Sequence, residues 1–207
     1  MNPWPDLRSV MRDIPWVIAG DVATRVYMPE RATQAMDVLI RPADENAVLD
    51  RLQTVGYKVE SPLAIGGWLA RSPEGIELDI LIGSQPWLDE ALAHPRSDAA
   101  GYPVIDLPYL VLMKMESNRS LDIGDLGRLL GLAPELELDR VRQVVQLFAP
   151  QDVEDLESLG RALDLDGHAL HRARGRTFDQ LGETGGDHGD AQDRHGEVDR
   201  GTMVIDA

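Results

Sequence analysis

Cysteine is absent from this chain of 207 residues. That excludes disulfides and thiolate metal sites, and it is compatible with the cytoplasm. Lysine is almost absent too: Lys58 and Lys114 are the only two. No apolar run approaches the length of a membrane span. Met1 to Ser9 lacks the charged-then-apolar pattern of a secretory signal. The expectation is a soluble cytoplasmic protein with no membrane attachment. Positive charge is scarce, with 20 Lys and Arg against 36 Asp and Glu, a net of −16. A long nucleic-acid footprint needs a basic stripe to neutralise phosphates, and no such stripe is visible. A local patch from Arg25, Arg31, Arg119 and Arg128 is the basic feature that remains.

The chain has enough apolar residues, 43%, for a sizeable core. Asp6 to Ile14 reads as a short helix capped by Asp6 after Pro5. Trp16 to Ala19 reads as a strand, Asp21 to Met28 as a helix stopped by Pro29, and Met36 to Ile40 as a strand ended before Pro42. Asp44 is the expected cap of a helix with Val48, Leu49, Leu52 and Val55 on one face and Gly56 at its end. Tyr57 to Glu60, Gly67 to Arg71 and Ile76 to Ile82 read as strands, with turn chemistry at Pro73-Glu74-Gly75. Trp87 to Ala93 is a helix and Val104-Ile105 a short strand. Helices follow at Pro108 to Glu116, Leu121 to Leu132, Leu136 to Phe148 and Val153 to Leu163. The pattern is that of an α/β (α+β) fold: a mixed sheet with flanking helices over residues 1–107, then a helical region over 108–172. From about Arg174 the sequence is rich in Gly and Asp and poor in apolar residues, so 173–207 reads as a disordered tail. There are no internal repeats.

Within this frame a few polar residues stand out. An apolar run ends in Gly20-Asp21, and Asp37 interrupts the next one. Glu77 and Asp79 interrupt a third, two residues apart and so on one strand face. Acids on buried strands are costly unless a metal ion or a cation pairs with them. The alternative is a set of strand-edge acids in solvent or paired with Arg. Asp21 is placed either to cap the helix it begins or to act at a site beside Gly20, whose lack of a side chain would let backbone approach a phosphate. Lys114 sits within Leu110-Val111-Leu112-Met113, so its amine must snorkel or find a partner, or else serve as a helix-end cation. Asp122 and Asp125 are spaced as N-cap and third residue of a helix. His168 and His171 stand at helical i, i+3 spacing and His188 and His195 lie in the tail; a metal site is conceivable there, but solvated residues of a mobile terminus are the expectation.

These residues, taken in order, resemble the nucleotidyltransferase superfamily of the DNA polymerase β type, and more closely the AbiEii-type toxins and similar small bacterial nucleotidyltransferases. Gly20-Asp21 stands at the Gly-Gly or Gly-Ser turn, Ala35-Met36-Asp37 at Asp-x-Asp, and Asp79 at the third acid. Lys114, Arg119, Asp122 and Asp125 match the later helical motif, and the likeness spans about residues 13 to 132. The resemblance implies transfer of a nucleoside monophosphate from an NTP to an acceptor hydroxyl. Mg²⁺ would sit on Asp37 and Asp79. Gly20, Asp21, Arg31, Thr33, Lys114 and Arg119 would bind the nucleotide, with Lys114 also catalytic and Asp122 and Asp125 in support. It also implies a toxin with an antitoxin partner; an RNA acceptor, given the charge, would be contacted at one end. Two departures fall at the chemical centre: Ala35 replaces the first acid, and Asp21 replaces the second small residue of the turn. They imply weakened catalysis or, alternatively, an inactive binding or regulatory module.

Overall fold

A computed structural model describes residues 4–28, 35–117 and 120–159. In the described residues seven strands form one mixed sheet, in the order β3 (Lys58–Pro62), β4 (Gly67–Arg71), β5 (Glu77–Ile82), β2 (Ala35–Ile40), β1 (Val17–Ala19), β7 (Pro103–Val104), β6 (Arg96–Ser97). At its centre β2 (Ala35–Ile40) pairs in parallel with β5 (Glu77–Ile82) and antiparallel with β1 (Val17–Ala19). The hairpin of β3 (Lys58–Pro62) and β4 (Gly67–Arg71) extends one edge through β5. On the other edge β7 (Pro103–Val104) lies parallel to β1 and antiparallel to β6 (Arg96–Ser97).

Strand alternation divides β2 and β5 into two faces. Met36, Val38, Ile40, Leu78 and Ile80 point one way and are fully buried, in one core with Val48 and Leu52 of helix α2 (Glu45–Thr54). At roughly 25 cal/mol per Å², fully burying such a side chain stabilises by about 1.5–3 kcal/mol. The opposite face carries Ala35, Asp37 and Leu39 in register with Glu77, Asp79 and Leu81. That face is the one that carries the acids.

Helix α1 (Gly20–Tyr27) follows β1 directly. Helix α3 (Leu88–Ala93) follows β5, and Trp87 at its start stacks on Tyr109, ring centroids 5.9 Å apart. Helix α4 (Leu107–Ser117) is apolar nearly all round, with Leu107, Leu110, Val111 and Leu112 buried, as befits an internal helix. Asp106 starts it by accepting from Leu107 N–H at 3.0 Å, and its other carboxylate oxygen accepts from Arg140. Arg140 belongs to α6 (Glu135–Phe148), which packs on α4, while α5 (Ser120–Leu132) fills the remaining side. A further helical stretch covers 153–159. Within the described residues the sheet and the later helices share one core.

Most expected elements form within a residue or two of their expected bounds. Asp6 to Ile14 does not become a helix: it makes hydrogen-bonded turns, and Asp13 adopts φ 68°. The Asp6 carboxylate is taken by Arg8, whose amide and guanidinium both donate to it. Asp44 does not cap α2 through its side chain, because a short 3₁₀ turn at Pro42–Asp44 runs straight into the helix. Val55, expected on the buried face, is 49% exposed because α2 has ended before it. Strand β6 is an addition to the reading, too short to leave a periodic signal. The end of the last helix and the whole expected tail lie outside the described residues.

Candidate functional site

The cleft is built from the point where β1 turns into α1. Gly20 makes that turn at φ 56°, in the left-handed region where other residues are strained. Its bare Cα lies against the next strand: a Cβ there would stand 2.1 Å from Asp37 Oδ2 and 2.6 Å from Asp37 Cγ. The glycine is thus required both by its backbone and by the carboxylate beside it. Ala19 pairs with Asp37 in the ladder, and Asp37 pairs with Asp79 on the far side. Since parallel partners in register present side chains to the same face, the two acids that the sequence singles out come to neighbouring strands on one face, beside Gly20.

Around them is a cleft of about 520 Å³. Asp37 and Asp79, half-buried, contribute to its floor together with Ala35, and Gly20 and Asp21 to its side. Burial, and then the charge of Glu77, push the Asp79 carboxyl above its ordinary pKa. Glu77 itself is drawn away: Arg71 donates to it at 2.9 Å and to Glu60 at 3.0 Å. It is therefore a paired neighbour of Asp79.

The opposite wall is an ionic cluster. Lys114, on α4, has a side chain only 4% exposed. Its ammonium donates to Asp122 Oδ1 at 2.9 Å and Asp125 Oδ2 at 2.8 Å, both acids buried on α5. Asp21 Oδ1 stands 3.6 Å from the same nitrogen. Burial alone would pull the lysine pKa down; the hydrogen bonds that Lys114 donates to Asp125 and Asp122 outweigh it and hold it above its ordinary value. Ser117 also donates to Asp122. The need of Lys114 for a partner is met here, and Asp122 and Asp125 are not the helix caps their spacing suggests. Asp21 is not a cap either: Ala19 occupies the cap position, without a side-chain bond, and Asp21 is the second helical residue. That one-residue offset turns its carboxylate toward Lys114.

Carboxylate oxygens of Asp21, Asp122 and Asp125 lie within 4.8 Å of one another, close enough to share an ion. The Lys114 ammonium already sits among them, however, and a metal would have to displace it. Asp37 and Asp79 are a second set of carboxylates that could hold a metal. Mg²⁺ usually takes one or two carboxylates and fills its shell with water and phosphate oxygens. Two acids in register on strands about 4.8 Å apart can serve one ion.

Arg31, Thr33 and Arg119 lie outside the described residues. Of the other arginines in the suggested patch, Arg25 rests over the Trp4 ring at 5.8 Å. Sequence reasoning passed over Ile65, Gln85, Met113, Glu116 and Ser117, which also line the cleft. Glu116 accepts from the Trp87 indole at 3.0 Å, so its role is partly structural. For Ile65 a signal did exist: an isoleucine set before Gly66-Gly67, in a turn where polar residues are usual.

No known family matches the chain, and no curated protein does. Solved structures that are similar include the solution structure of the antibiotic-resistance factor ANT(2'')-Ia. It is 16% identical, covering 82% of this chain and 94% of that one, at a TM-score of 0.43. A crystal structure of ANT(2'')-Ia in complex with adenylyl-2''-tobramycin is 18% identical, covering 75% and 93%, at 0.42. At these scores the likeness decides nothing about the site.

Proposed function

We propose that this protein is a nucleotidyltransferase that binds an NTP with Mg²⁺ in the cleft and transfers a nucleoside monophosphate to an acceptor hydroxyl. The observation that carries this reading is the in-register pair of Asp37 and Asp79 beside Gly20. Mg²⁺, when bound, would neutralise the charge that builds on the phosphate oxygens during transfer. Asp37 and Asp79 would hold it. Gly20 keeps the Asp37 carboxylate seated and lets α1 begin at the cleft, where first-turn amides would orient a phosphate. Lys114 we assign as a positioning residue. Its ammonium ties α1, α4 and α5 together through three aspartates, and that cluster carries a net charge of −2 if all three are ionised. Phosphate would be drawn to the metal end instead.

The toxin role implied by the sequence resemblance, with its antitoxin and an RNA end as acceptor, belongs to the same proposal. The test is incubation with each labelled NTP, Mg²⁺ and cell extract. Label should pass to an acceptor, whose identity as RNA or small molecule then decides the substrate class. Asp37→Asn and Asp79→Asn should each abolish transfer. Failure of every NTP with Mg²⁺ to raise the melting temperature would sink the proposal. Ala35 favours a second reading, in which the cleft binds nucleotide without turnover. Stabilisation by NTP with no transfer to any acceptor would support it.

A further inference from the structure

The cleft changes character along its floor. Leu39 and Leu81 follow Asp37 and Asp79 by two residues, on the same face and again in register. At 3.2–3.4 Å per residue they lie roughly 7 Å farther along. Met113 of α4 and Ile65 of the β3–β4 turn line the same cavity. Ile65 is 75% exposed, yet the turn that carries it is closely specified. Leu63 N–H donates to Gly67 O at 2.9 Å, and Gly66 N–H to Leu63 O at 3.1 Å. Gly66 and Gly67 adopt φ 92° and 112°, and a Cβ on Gly67 would stand 1.9 Å from the Ile80 carbonyl oxygen. A turn with so little latitude holds an isoleucine at the cleft wall, where water is its only cover.

We propose that this apolar end is the subsite for the base of the nucleotide, with Ile65 covering one ring face. The proposal rests on the nucleotide reading above. A nucleotide has the same layout as the cleft: phosphates that seek cations at one end, and a flat apolar-faced ring a sugar's length away. A sugar or a phosphate over Leu39 and Leu81 would meet side chains that offer it no hydrogen bond, although Gln85, Glu116 and Ser117 also line the cleft. A base presents its π-faces to aliphatic side chains and keeps its polar edge outward.

The test compares Mg²⁺·NTP with Mg²⁺·tripolyphosphate, which has the charge without the base. Affinities are measured by calorimetry on the full chain and on Ile65→Ser. Because Ile65 is mostly exposed, the variant should keep the melting temperature of the parent. The parent should bind NTP at least about tenfold more tightly than tripolyphosphate. Ile65→Ser should weaken NTP about fivefold and leave tripolyphosphate unchanged, as expected for one partly buried aliphatic contact. Equal affinity of the parent for both ligands, or unchanged NTP affinity in Ile65→Ser, overturns the base subsite and leaves the nucleotide reading standing. Binding of neither ligand overturns both.

Discussion

Replacing Gly20 with alanine tests the centre of the site with the smallest possible addition. The backbone there has φ 56°, and a non-glycine residue in that region costs about 1–2 kcal/mol. The new methyl would also stand 2.1 Å from Asp37 Oδ2, so the carboxylate must swing off its seat. An off-rotamer side chain adds about 0.5–1.5 kcal/mol. Together these give a loss of about 2–3 kcal/mol. For a domain of this size that corresponds to a fall of roughly 5–10 °C in melting temperature. Thermal unfolding, run with and without Mg²⁺ and NTP, reads both consequences at once. The displaced Asp37 should also remove most of the stabilisation that ligand gives. Asp37→Ala supplies the cross-check, since it deletes the two nearest atoms and leaves a Cβ contact of 3.1 Å. The double variant should recover about 1 kcal/mol relative to the sum of the singles. A Gly20→Ala protein within about 0.5 kcal/mol of the parent, with its ligand response intact, would refute the reasoning.

Lys114→Met should do more than remove a cation from the cleft, because it strands two buried carboxylates. A loss of about 3–5 kcal/mol in chemical denaturation is expected, and combining it with Asp122→Asn and Asp125→Asn should restore part of that. Asp21→Ser should change stability by less than about 1 kcal/mol, since the side chain is a third exposed and stands at 3.6 Å from the ammonium; a larger loss in the same assay would make Asp21 a full member of the cluster. Ala35→Asp returns an acid to the strand face that carries Asp37, and it should raise Mg²⁺-dependent transfer of labelled nucleotide by on the order of tenfold or more. No gain in that assay would mean that Ala35 is not what limits the chemistry.

The parts of the fold that were legible are those whose signal is local. The apolar runs at Trp16–Ala19, Met36–Ile40 and Ile76–Ile82 become β1, β2 and β5, because a buried strand writes itself as such a run. Period-two alternation then put Asp37 and Asp79 each on a definite face; that the faces coincide depends on the parallel register, which no single segment encodes. Decisions that hinge on one residue were not legible. Asp21 could cap or pair, and the choice turned on α1 beginning at Gly20. Asp122 and Asp125 had the spacing of caps, but α5 folds back against α4 and buries them on Lys114. Their partner was visible as a lysine in an apolar stretch; the direction from which help would come was not. Strand β6, two residues long, exists only because β7 offers an edge to build on, whereas β7 itself, read as a short strand at Val104-Ile105, forms against β1.

The cleft holds two sets of carboxylates in different surroundings, and on the proposed reading that difference bears on where a metal would go. Asp21, Asp122 and Asp125 have the tighter grouping, and by spacing alone they are the better cage. They also have Lys114 within 2.8–3.6 Å. A divalent ion entering there would stand about 4 Å from an ammonium, a repulsion of about 8 kcal/mol at an effective dielectric of 20. Expelling the lysine instead would desolvate the ion against a wall that α4 and α5 already fill. On the proposed reading, the surplus negative charge of this cluster adds to the attraction that Asp37 and Asp79 offer a metal on the neighbouring strands. If the metal sits on Asp37 and Asp79 as proposed, the lysine expected to meet the phosphates would instead keep the metal out of the three-aspartate cluster. Lys114→Met in the Asp122/Asp125 background should reopen it. Mn²⁺ binding followed by electron paramagnetic resonance should then find one site in the parent and a second in a variant that keeps both aspartates. A single site in both would show that the lysine guards nothing.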